Sequence, residues 1–378
     1  MLLDMMGATR IAASGAALVL AGLLTSCGDP RVIESTFDDQ YKAENTGKVR
    51  VEIREAYELA QIAYALAEAR QSDANRAWTK GAYYDAMMAH FAPYKDHPAI
   101  DAVDFKKWPD YWSYRQNSLA YSYRDGKLDH AGVYETLWNS GEDKFQKVKN
   151  QLEVFARDAD FDAFYAEQAD YYAYLEGEFS ELVDPAAMQR WLHENFSARY
   201  DSYLIAISPL VGGAHNFAIV RDTDYAEAII TISASNVYDK DRDADGVISD
   251  AARLKFSRLI FTELDHNYVN PASDRFKSEI KSAVGDVDQW NASDDYRSAE
   301  ATFNEYVTWA IFPLFVRSEY GEAYVDAAVA DVNRVMTRRG FQKFPEFNDW
   351  VLSNNAFSTG VKSVEASYEE MIAWFVAQ

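Results

Sequence analysis

A change of pattern near residue 202 constrains the fold of this chain more than any other sequence feature. The segment SYLIAISPLVGG (202–213) is an apolar run that ends in two glycines, and EAIITISAS (227–235) is short and rich in β-branched residues. Both patterns are typical of strands, and HNFAIV (215–220) between them predicts a third. We therefore expect an α-rich α+β fold, in which a small β-sheet lies between a helical N-terminal half and a helical C-terminal half.

Apolar residues recur at helical spacing on both sides of these strands. The first helical pattern begins at residue 49, and its apolar stripe consists of Ile53, Tyr57, Ala60, Tyr64 and Ala67. Further helices are predicted at 81–91, 108–123, 132–157, 159–177 and 185–196, and after the sheet at 249–269, 273–285, 294–318, 320–339 and 344–354. Because no linker separates the halves, we expect one continuous body made of regions 49–200 and 201–378.

Aromatic residues recur through the first half, and they allow two interpretations. The residues concerned include Tyr111, Trp112, Tyr171, Tyr172 and Tyr174. They could form a platform on which sugar rings stack, or they could fill the core between helices. Aromatic residues at helical spacing more often belong to a core, and we favour that interpretation.

The N-terminus predicts export and lipid attachment. IAASGAALVLAGLL (11–24) is too short to cross a membrane, which takes roughly 20 residues, but it suits the core of a signal peptide. Leu24-Thr25-Ser26-Cys27 resembles the bacterial lipobox, and Cys27 is the only cysteine in the chain. We therefore predict a signal peptide at 1–26 and a lipid on Cys27. Gly28 in place of an aspartate favours the outer membrane, facing the periplasm or the cell surface, and polar residues 27–48 predict a flexible tether.

The charge of the chain limits its partners. Lys and Arg number 37 against 60 Asp and Glu, so the formal net charge is −23. Such a surface repels phosphate backbones, which argues against a nucleic-acid partner. It attracts cations, including Ca²⁺.

The segment TELDH (262–266) is one residue away from a zinc-binding helix signature. In that signature, two histidines four residues apart bind Zn²⁺, and the glutamate beside the first activates the metal-bound water. Glu263 would be that general base, and His266 would be the second histidine. A third ligand on a later helix could be Glu300 or Glu305. We favour Glu305, because a carboxylate in such apolar surroundings needs a partner.

Thr262 stands where the signature has its first histidine. A hydroxyl is a poor zinc ligand, and two protein ligands are fewer than catalytic zinc sites use. Either zinc is absent and Glu263 and His266 form a hydrogen-bonded pair, or another group completes the site. His215, in the loop between two predicted strands, is the candidate for a substitute ligand.

The segment DRDADGVIS (241–249) resembles the start of a calcium-binding loop. Asp241, Asp243 and Asp245 occupy loop positions 1, 3 and 5, and a glycine follows at position 6. Position 12 should carry a bidentate acid, but Ala252 stands there. Calcium is favoured slightly over the alternative, which is an aspartate-rich turn that caps the next helix through Ser249.

Several phrases in the chain resemble one family of exported bacterial proteins. Its members carry a domain of unknown function and are regarded as gluzincin-like zinc metallopeptidases. The matching phrases are HFAPYKDHPAID (90–101), SPLVGGAHNFA (208–218), the TELDH segment followed by Tyr268-Val269-Asn270-Pro271, Asn304-Glu305-Tyr306 and RGFQKFPEFNDWV (339–351).

The resemblance implies that Glu263 is a general base and that His266 and Glu305 are zinc ligands. It implies a zincin-like C-terminal half, with departure from the family pattern at Thr262. The expected protein is a lipid-anchored relative of metallopeptidases with a degenerate zinc site, inactive or weak as a hydrolase. A periplasmic scaffold that binds peptides or proteins is the first alternative. An active metallopeptidase with an unconventional ligand set is the second.

Overall fold

The structure is a computed structural model, and it describes residues 32–71, 76–138, 141–354 and 362–378. The predicted signal peptide and the predicted lipidation site, Cys27, lie outside the described residues. Within them, no helix combines the length and apolar character needed to cross a membrane.

A five-stranded mixed sheet lies at the centre of the fold. Its strands are β1 (Val32–Glu34), β2 (Val49–Glu52), β5 (Ser202–Ser208), β6 (Asn216–Arg221) and β7 (Ala226–Ser233), in the spatial order β1-β6-β7-β5-β2. Only the β6–β7 pair is antiparallel. Every residue of β5 and β7 is buried, which indicates that helices cover both faces of the sheet. A separate hairpin consists of β3 (Tyr121–Arg124) and β4 (Lys127–His130).

Helices make up most of the remaining chain. Before the central strands they are α1 (Asp39–Asn45), α2 (Glu55–Glu68), α3 (Ala82–Phe91), α4 (Pro98–Ala102), α5 (Trp108–Asn117), α6 (Lys144–Asp158), α7 (Phe161–Glu167), α8 (Ala169–Val183) and α9 (Pro185–Asn195). After them come α10 (Asp250–Leu264), α11 (His266–Asp274), α12 (Lys277–Val284), α13 (Ala299–Glu319), α14 (Val325–Arg338), α15 (Phe344–Ser353) and α16 (Tyr368–Val376). The α-rich α+β class and the three central strands are confirmed.

The predicted tether is wrong from residue 32 onward. Val32–Glu34 pairs in parallel with β6, and α1 follows it. Buried Glu227 fixes this segment to the sheet, because its carboxylate accepts hydrogen bonds from Arg50 (2.7 Å), Tyr41 (2.8 Å), Tyr134 (2.6 Å) and Ser202 (2.7 Å). A polar sequence is therefore ordered here by partners more than 170 residues away in the chain.

Several boundaries in the first half also differ from the prediction, and the helix predicted at 132–157 begins only at Lys144. Residues 49–52 are a strand beside β5, and the helix begins only at Glu55. The predicted helix 108–123 ends at Asn117, because the chain then enters the β3–β4 hairpin. Both strands depend on pairing partners that a local helical pattern does not reveal.

The core interpretation of the aromatic residues holds for three of the five. Tyr111, Trp112 and Tyr172 are buried, whereas Tyr171 is half-buried and Tyr174 is 51% exposed. The three buried residues belong to one hydrophobic core, whose members are spread along the sequence from Ile33 to Phe375. Both halves of the chain therefore contribute to one core.

The predicted helix at 249–269 is formed by α10 and α11, which meet at Asp265. The backbone of Asp265 keeps helical angles (φ −71°, ψ −20°), so residues four apart across the junction still lie on one side. Pro271 lies inside α11 and has no amide hydrogen to offer the carbonyl of Asn267. The hydroxyl of Tyr200 donates to that carbonyl instead.

Candidate functional site

The three residues predicted for a zinc site lie close to one another in the interior. Glu263 is near the end of α10, His266 begins α11, and Glu305 lies in α13. Their exposed fractions are 2%, 2% and 1%, respectively. Strand β6 contributes a wall, because the ring of Phe217 stacks on the His266 imidazole at 5.2 Å between centroids.

His266 and Glu305 converge as the zinc prediction requires. The distance from His266 Nε2 to Glu305 Oε1 is 3.6 Å. Two ligands of one tetrahedral zinc ion, each about 2.0 Å from the metal, stand about 3.4 Å apart. These two atoms therefore have a spacing that one metal ion could bridge.

The other oxygen of Glu305 already has strong donors. Arg339 Nη2 donates to Oε2 at 2.7 Å, and the Trp309 indole nitrogen donates to the same oxygen at 3.2 Å. Arg339 follows α14 directly and reaches Glu305 across the interface between α13 and α14. The buried carboxylate therefore has a positive charge beside it without any metal.

Thr262 does not replace the missing histidine as a metal ligand. Its side chain is buried, and its hydroxyl donates to the Leu259 carbonyl of its own helix at 3.3 Å. Within the part of the chain that the structure describes, no group of three His, Cys, Asp or Glu side chains could hold a metal ion. Two protein ligands do not make a catalytic zinc centre, so the residues present do not fit that centre.

Glu263 is poorly suited to act as a base at neutral pH. Burial raises the pKa of its carboxyl to about 8, and the charge of Glu305 adds to the shift. Its Oε2 atom has no hydrogen-bond partner. A carboxyl with this pKa is mostly protonated at pH 7, so only a minor fraction of the molecules carries the carboxylate that could take a proton from water.

The family of the chain follows from its sequence profile. The profile of a family described as Domain of unknown function (DUF4932) matches residues 122–374, about two thirds of the chain. The chain belongs to the DUF4932 family. The matched range contains Glu263, His266, Glu305 and Arg339. No curated protein and no solved structure matches this DUF4932 chain.

His215, the predicted substitute ligand, has a different environment in this DUF4932 protein. Its Nε2 atom lies 3.1 Å from both the Gly212 carbonyl and the Ser233 hydroxyl, and its side chain is buried. Burial lowers the pKa of His215 to about 3, and the positive charge of Arg115 adds to this. The imidazole is therefore neutral and links the β5–β6 loop to β7. The structure does not bring it into a three-ligand group.

The aspartate-rich loop forms a closed turn ahead of α10. Oδ1 of Asp243 accepts the amide hydrogens of Asp245 and Val247, each at 2.9 Å. Ser249 caps α10 by accepting from the amide of Ala252 at 3.2 Å, as the capping alternative predicts. Asp241, Asp243 and Asp245 belong to no three-residue metal group within the described ranges. Calcium binding here remains a prediction.

Sequence analysis missed two residues that shape the site of this DUF4932 protein. Asp265 is buried beside the pair, and burial holds the pKa of its carboxyl well above the ordinary value. Arg339 was part of a family-like phrase, but its position gave no sign that it would reach Glu305. That contact depends on how α13 and α14 pack, which the spacing of residues in the sequence does not encode.

Proposed function

We propose that this DUF4932 protein is a lipid-anchored, zincin-like relative of metallopeptidases whose zinc site is degenerate and which is inactive or weak as a peptidase. One observation carries the proposal. His266 and Glu305 converge at 3.6 Å, as two ligands of one zinc would, while the third ligand position is taken by Thr262. On this proposal, two of the three ligands of an ancestral zinc site are retained and the third is replaced.

The protonation of the site supports weak rather than efficient catalysis. Attack on a peptide carbonyl needs a base that accepts a proton from water. Glu263 is the residue in that position, and its carboxyl has a pKa of about 8 because it is buried. At pH 7 it is therefore mainly a neutral acid.

Metal analysis of the purified protein tests the proposal. We expect the wild type to contain far less than one zinc per chain after exposure to zinc and removal of the excess. Thr262→His supplies the third ligand and should raise the zinc affinity, whereas Thr262→Val should leave it unchanged. Stoichiometric zinc in the wild type that disappears in His266→Ala would falsify the proposal and favour an active peptidase with an unconventional ligand set.

A binding role is the alternative, and one cavity favours it. A cavity of about 600 Å³ lies between the end of α9, the end of α11 and the residues that lead into α16. Its lining includes Phe196, Phe276, Arg275 and Glu365. This size is within the range of pockets that hold small ligands or peptide segments.

A peptide-binding assay tests this alternative function. Fluorescein-labelled casein peptides are a suitable probe, read by anisotropy. If the cavity binds peptide, Arg275→Ser should weaken the interaction and Arg157→Ser, a similarly exposed arginine on α6, should not. Equal binding by both variants and the wild type contradicts a role for this cavity.

The membrane anchor of the proposal rests on Cys27. Mass spectrometry of the mature N-terminus should find a lipid-modified cysteine, and Cys27→Ser should move the protein from the membrane fraction to the soluble fraction. An unmodified Cys27 in a membrane-free wild type contradicts the anchor while leaving the degenerate site untouched.

A further inference from the structure

We infer that the guanidinium of Arg339 takes over the charge role of the metal, so that zinc binds less tightly than the ligand count would give even when a third ligand is restored. The inference rests on the proposed function, because it explains how the degenerate site remains stable without zinc. It concerns a residue to which the zinc-binding signature assigns no part.

The first step of the argument is the ion pair itself. Glu305 is 1% exposed, and a buried carboxylate is stable only with a charged or hydrogen-bonded partner. Arg339 Nη2 lies 2.7 Å from Glu305 Oε2, which is the spacing of a charge-assisted hydrogen bond. His266 lies on the opposite oxygen of the same carboxylate. Glu305 therefore lies between the remaining ligand and a fixed positive charge.

The second step is that Arg339 is held in place. Its guanidinium carbon lies 5.0 Å from the ring centres of Tyr296 and Trp309 and 5.2 Å from that of Phe341. Such contacts between cations and aromatic faces are attractive, more so when solvent is excluded. The Arg339 side chain is only 17% exposed. It therefore does not behave as a mobile surface arginine.

The backbone near Arg339 has an unusual conformation, a positive φ angle, at two positions. Gly340, directly after Arg339, has φ +96° and ends the α14 helix region with a turn that favours glycine. Tyr296 has φ +57°, a conformation that bulky residues rarely adopt. These two positions flank the contact between the Arg339 guanidinium and the Tyr296 ring.

The third step is electrostatic. A zinc ion bound to His266 and Glu305 Oε1 would lie a few ångströms from the guanidinium on the other side of the same carboxylate. Two cations in a buried site repel each other, and this repulsion lowers the affinity for the metal. Restoring a histidine at position 262 corrects the ligand count but leaves this repulsion in place.

A different role for Arg339 makes the opposite prediction. Residues that hydrogen-bond to a metal ligand often orient it, and their removal lowers metal affinity by 10–100-fold. If Arg339 orients Glu305 for zinc, removing it weakens binding. If Arg339 replaces the metal charge, removing it strengthens binding.

Zinc affinity of a set of variants decides between the two roles. The set is Thr262→His alone and in combination with Arg339→Gln, Arg339→Lys or Arg338→Gln, measured at pH 7 by competition with a fluorescent zinc chelator. We expect Thr262→His/Arg339→Gln to bind zinc at least tenfold more tightly than Thr262→His. Arg339→Lys keeps the charge, and exposed Arg338 has the same charge one residue away, so neither change should tighten binding. Equal or weaker binding in Thr262→His/Arg339→Gln overturns the inference.

A second measurement needs no zinc. In the presence of EDTA, Arg339→Gln should lower the Tm because it leaves Glu305 without its counter-charge, and Glu305→Gln in the same chain should recover part of that loss. Additive effects of the two changes overturn the inference. The proposed function fails separately, through stoichiometric zinc in the wild type, so each failure can be recognised.

Discussion

Glu58 is a second buried acid, and it makes the stability of the protein depend on pH. It lies in α2 with no exposed surface, and its Oε1 atom accepts a hydrogen bond from the Tyr83 hydroxyl at 2.7 Å. Burial raises the pKa of its carboxyl to about 7, although the Tyr83 hydrogen bond opposes the shift. The folded protein therefore holds a proton here that the unfolded chain releases at lower pH.

The sign of the effect follows from the raised pKa. Stability from the protonated carboxyl is present below the ordinary pKa near 4.5 and is lost as the pH rises through about 7. The loss amounts to about 3 kcal/mol over this range. Glu58→Gln should remove this part of the pH dependence, measured as the free energy of unfolding in urea at pH 4.5, 6 and 7.5. Exposed Glu181→Gln serves as the control, and an unchanged slope in Glu58→Gln contradicts the prediction.

The residues predicted for the zinc site show how far the spacing of residues in a sequence can predict a functional site. Glu263, His266 and Glu305 could be named because helical periodicity places two of them on one helix and because an acid in an apolar helix needs a partner. Arg339 could not be named, since its contact with Glu305, 34 residues earlier in the chain, depends on how α13 and α14 pack. His215 was plausible from its loop, but the Ser233 and Gly212 contacts that occupy its Nε2 atom depend on the folded sheet.

Among the elements, α11 contains a backbone carbonyl whose missing helical hydrogen bond is replaced by one from a side chain, and the effect of this replacement on stability can be measured. Pro271 deprives the Asn267 carbonyl of its helical donor, and the Tyr200 hydroxyl replaces it. Tyr200→Phe should therefore lower the free energy of unfolding by about 1–2 kcal/mol, the cost of an unpaired buried carbonyl.

The loss of unfolding free energy caused by Tyr200→Phe should be smaller in a protein that also carries Pro271→Ala. Alanine at 271 has an amide hydrogen that can donate to Asn267, so the carbonyl keeps a partner when the hydroxyl is lost. Urea unfolding of the four proteins in this cycle gives the coupling between the two positions. Equal losses in both backgrounds would show that the hydroxyl does not replace the helical donor.

The loop before α10 is where the calcium prediction can be tested. Asp241 and Asp245 are the acids to change, because Asp243 already supports the turn through two backbone amides. With Ala252 at the twelfth position, we expect affinity no better than millimolar. Calcium at 5–10 mM, roughly the upper end of such affinities, should raise the Tm of the wild type more than that of Asp241→Asn/Asp245→Asn. No change in the wild type contradicts calcium binding.

Helices and strands could be predicted where their own sequence carries a clear apolar or periodic pattern. The strands β5, β6 and β7 carry long apolar or β-branched runs, and the C-terminal helices have clear periodicity. β1 and β2 are three and four residues long, and each gains its hydrogen bonds from a strand far away in the sequence. Such short edge strands have too little local signal, and the neighbouring polar or helical pattern hides them.

At the scale of the whole molecule, β1 limits how far the body can move from its anchor. If Cys27 carries the lipid, four residues separate the anchor from Val32, which pairs with Ile219 in the sheet. The five steps from Cys27 to Val32 span at most about 18 Å, whereas a tether reaching Val49 would span roughly 80 Å.

Fluorescence energy transfer between a label on the protein and the lipid headgroups of vesicles tests this limit. Because Cys27 is the only natural cysteine, an additional cysteine at exposed Thr223, close to the end of β1, can be labelled in the lipidated protein. Transfer to a headgroup acceptor should be strong, and it should fall sharply after insertion of a 20-residue Gly/Ser segment between Arg31 and Val32, which adds roughly 25 Å of mean reach. Equal transfer with and without the insertion contradicts the short connection.

If Cys27 carries a lipid, the pairing of Val32 with Ile219 also has a consequence for encounters in the cell envelope. The edge of the body that carries β1 would then stay within about 18 Å of the bilayer, and the body would explore a thin layer at the membrane and not the full depth of the compartment. Any partner must enter that layer, either by diffusing to it or by being membrane-bound itself. In a lipid-anchored protein, the three residues of β1 would thus set the distance from the membrane within which it can meet a partner.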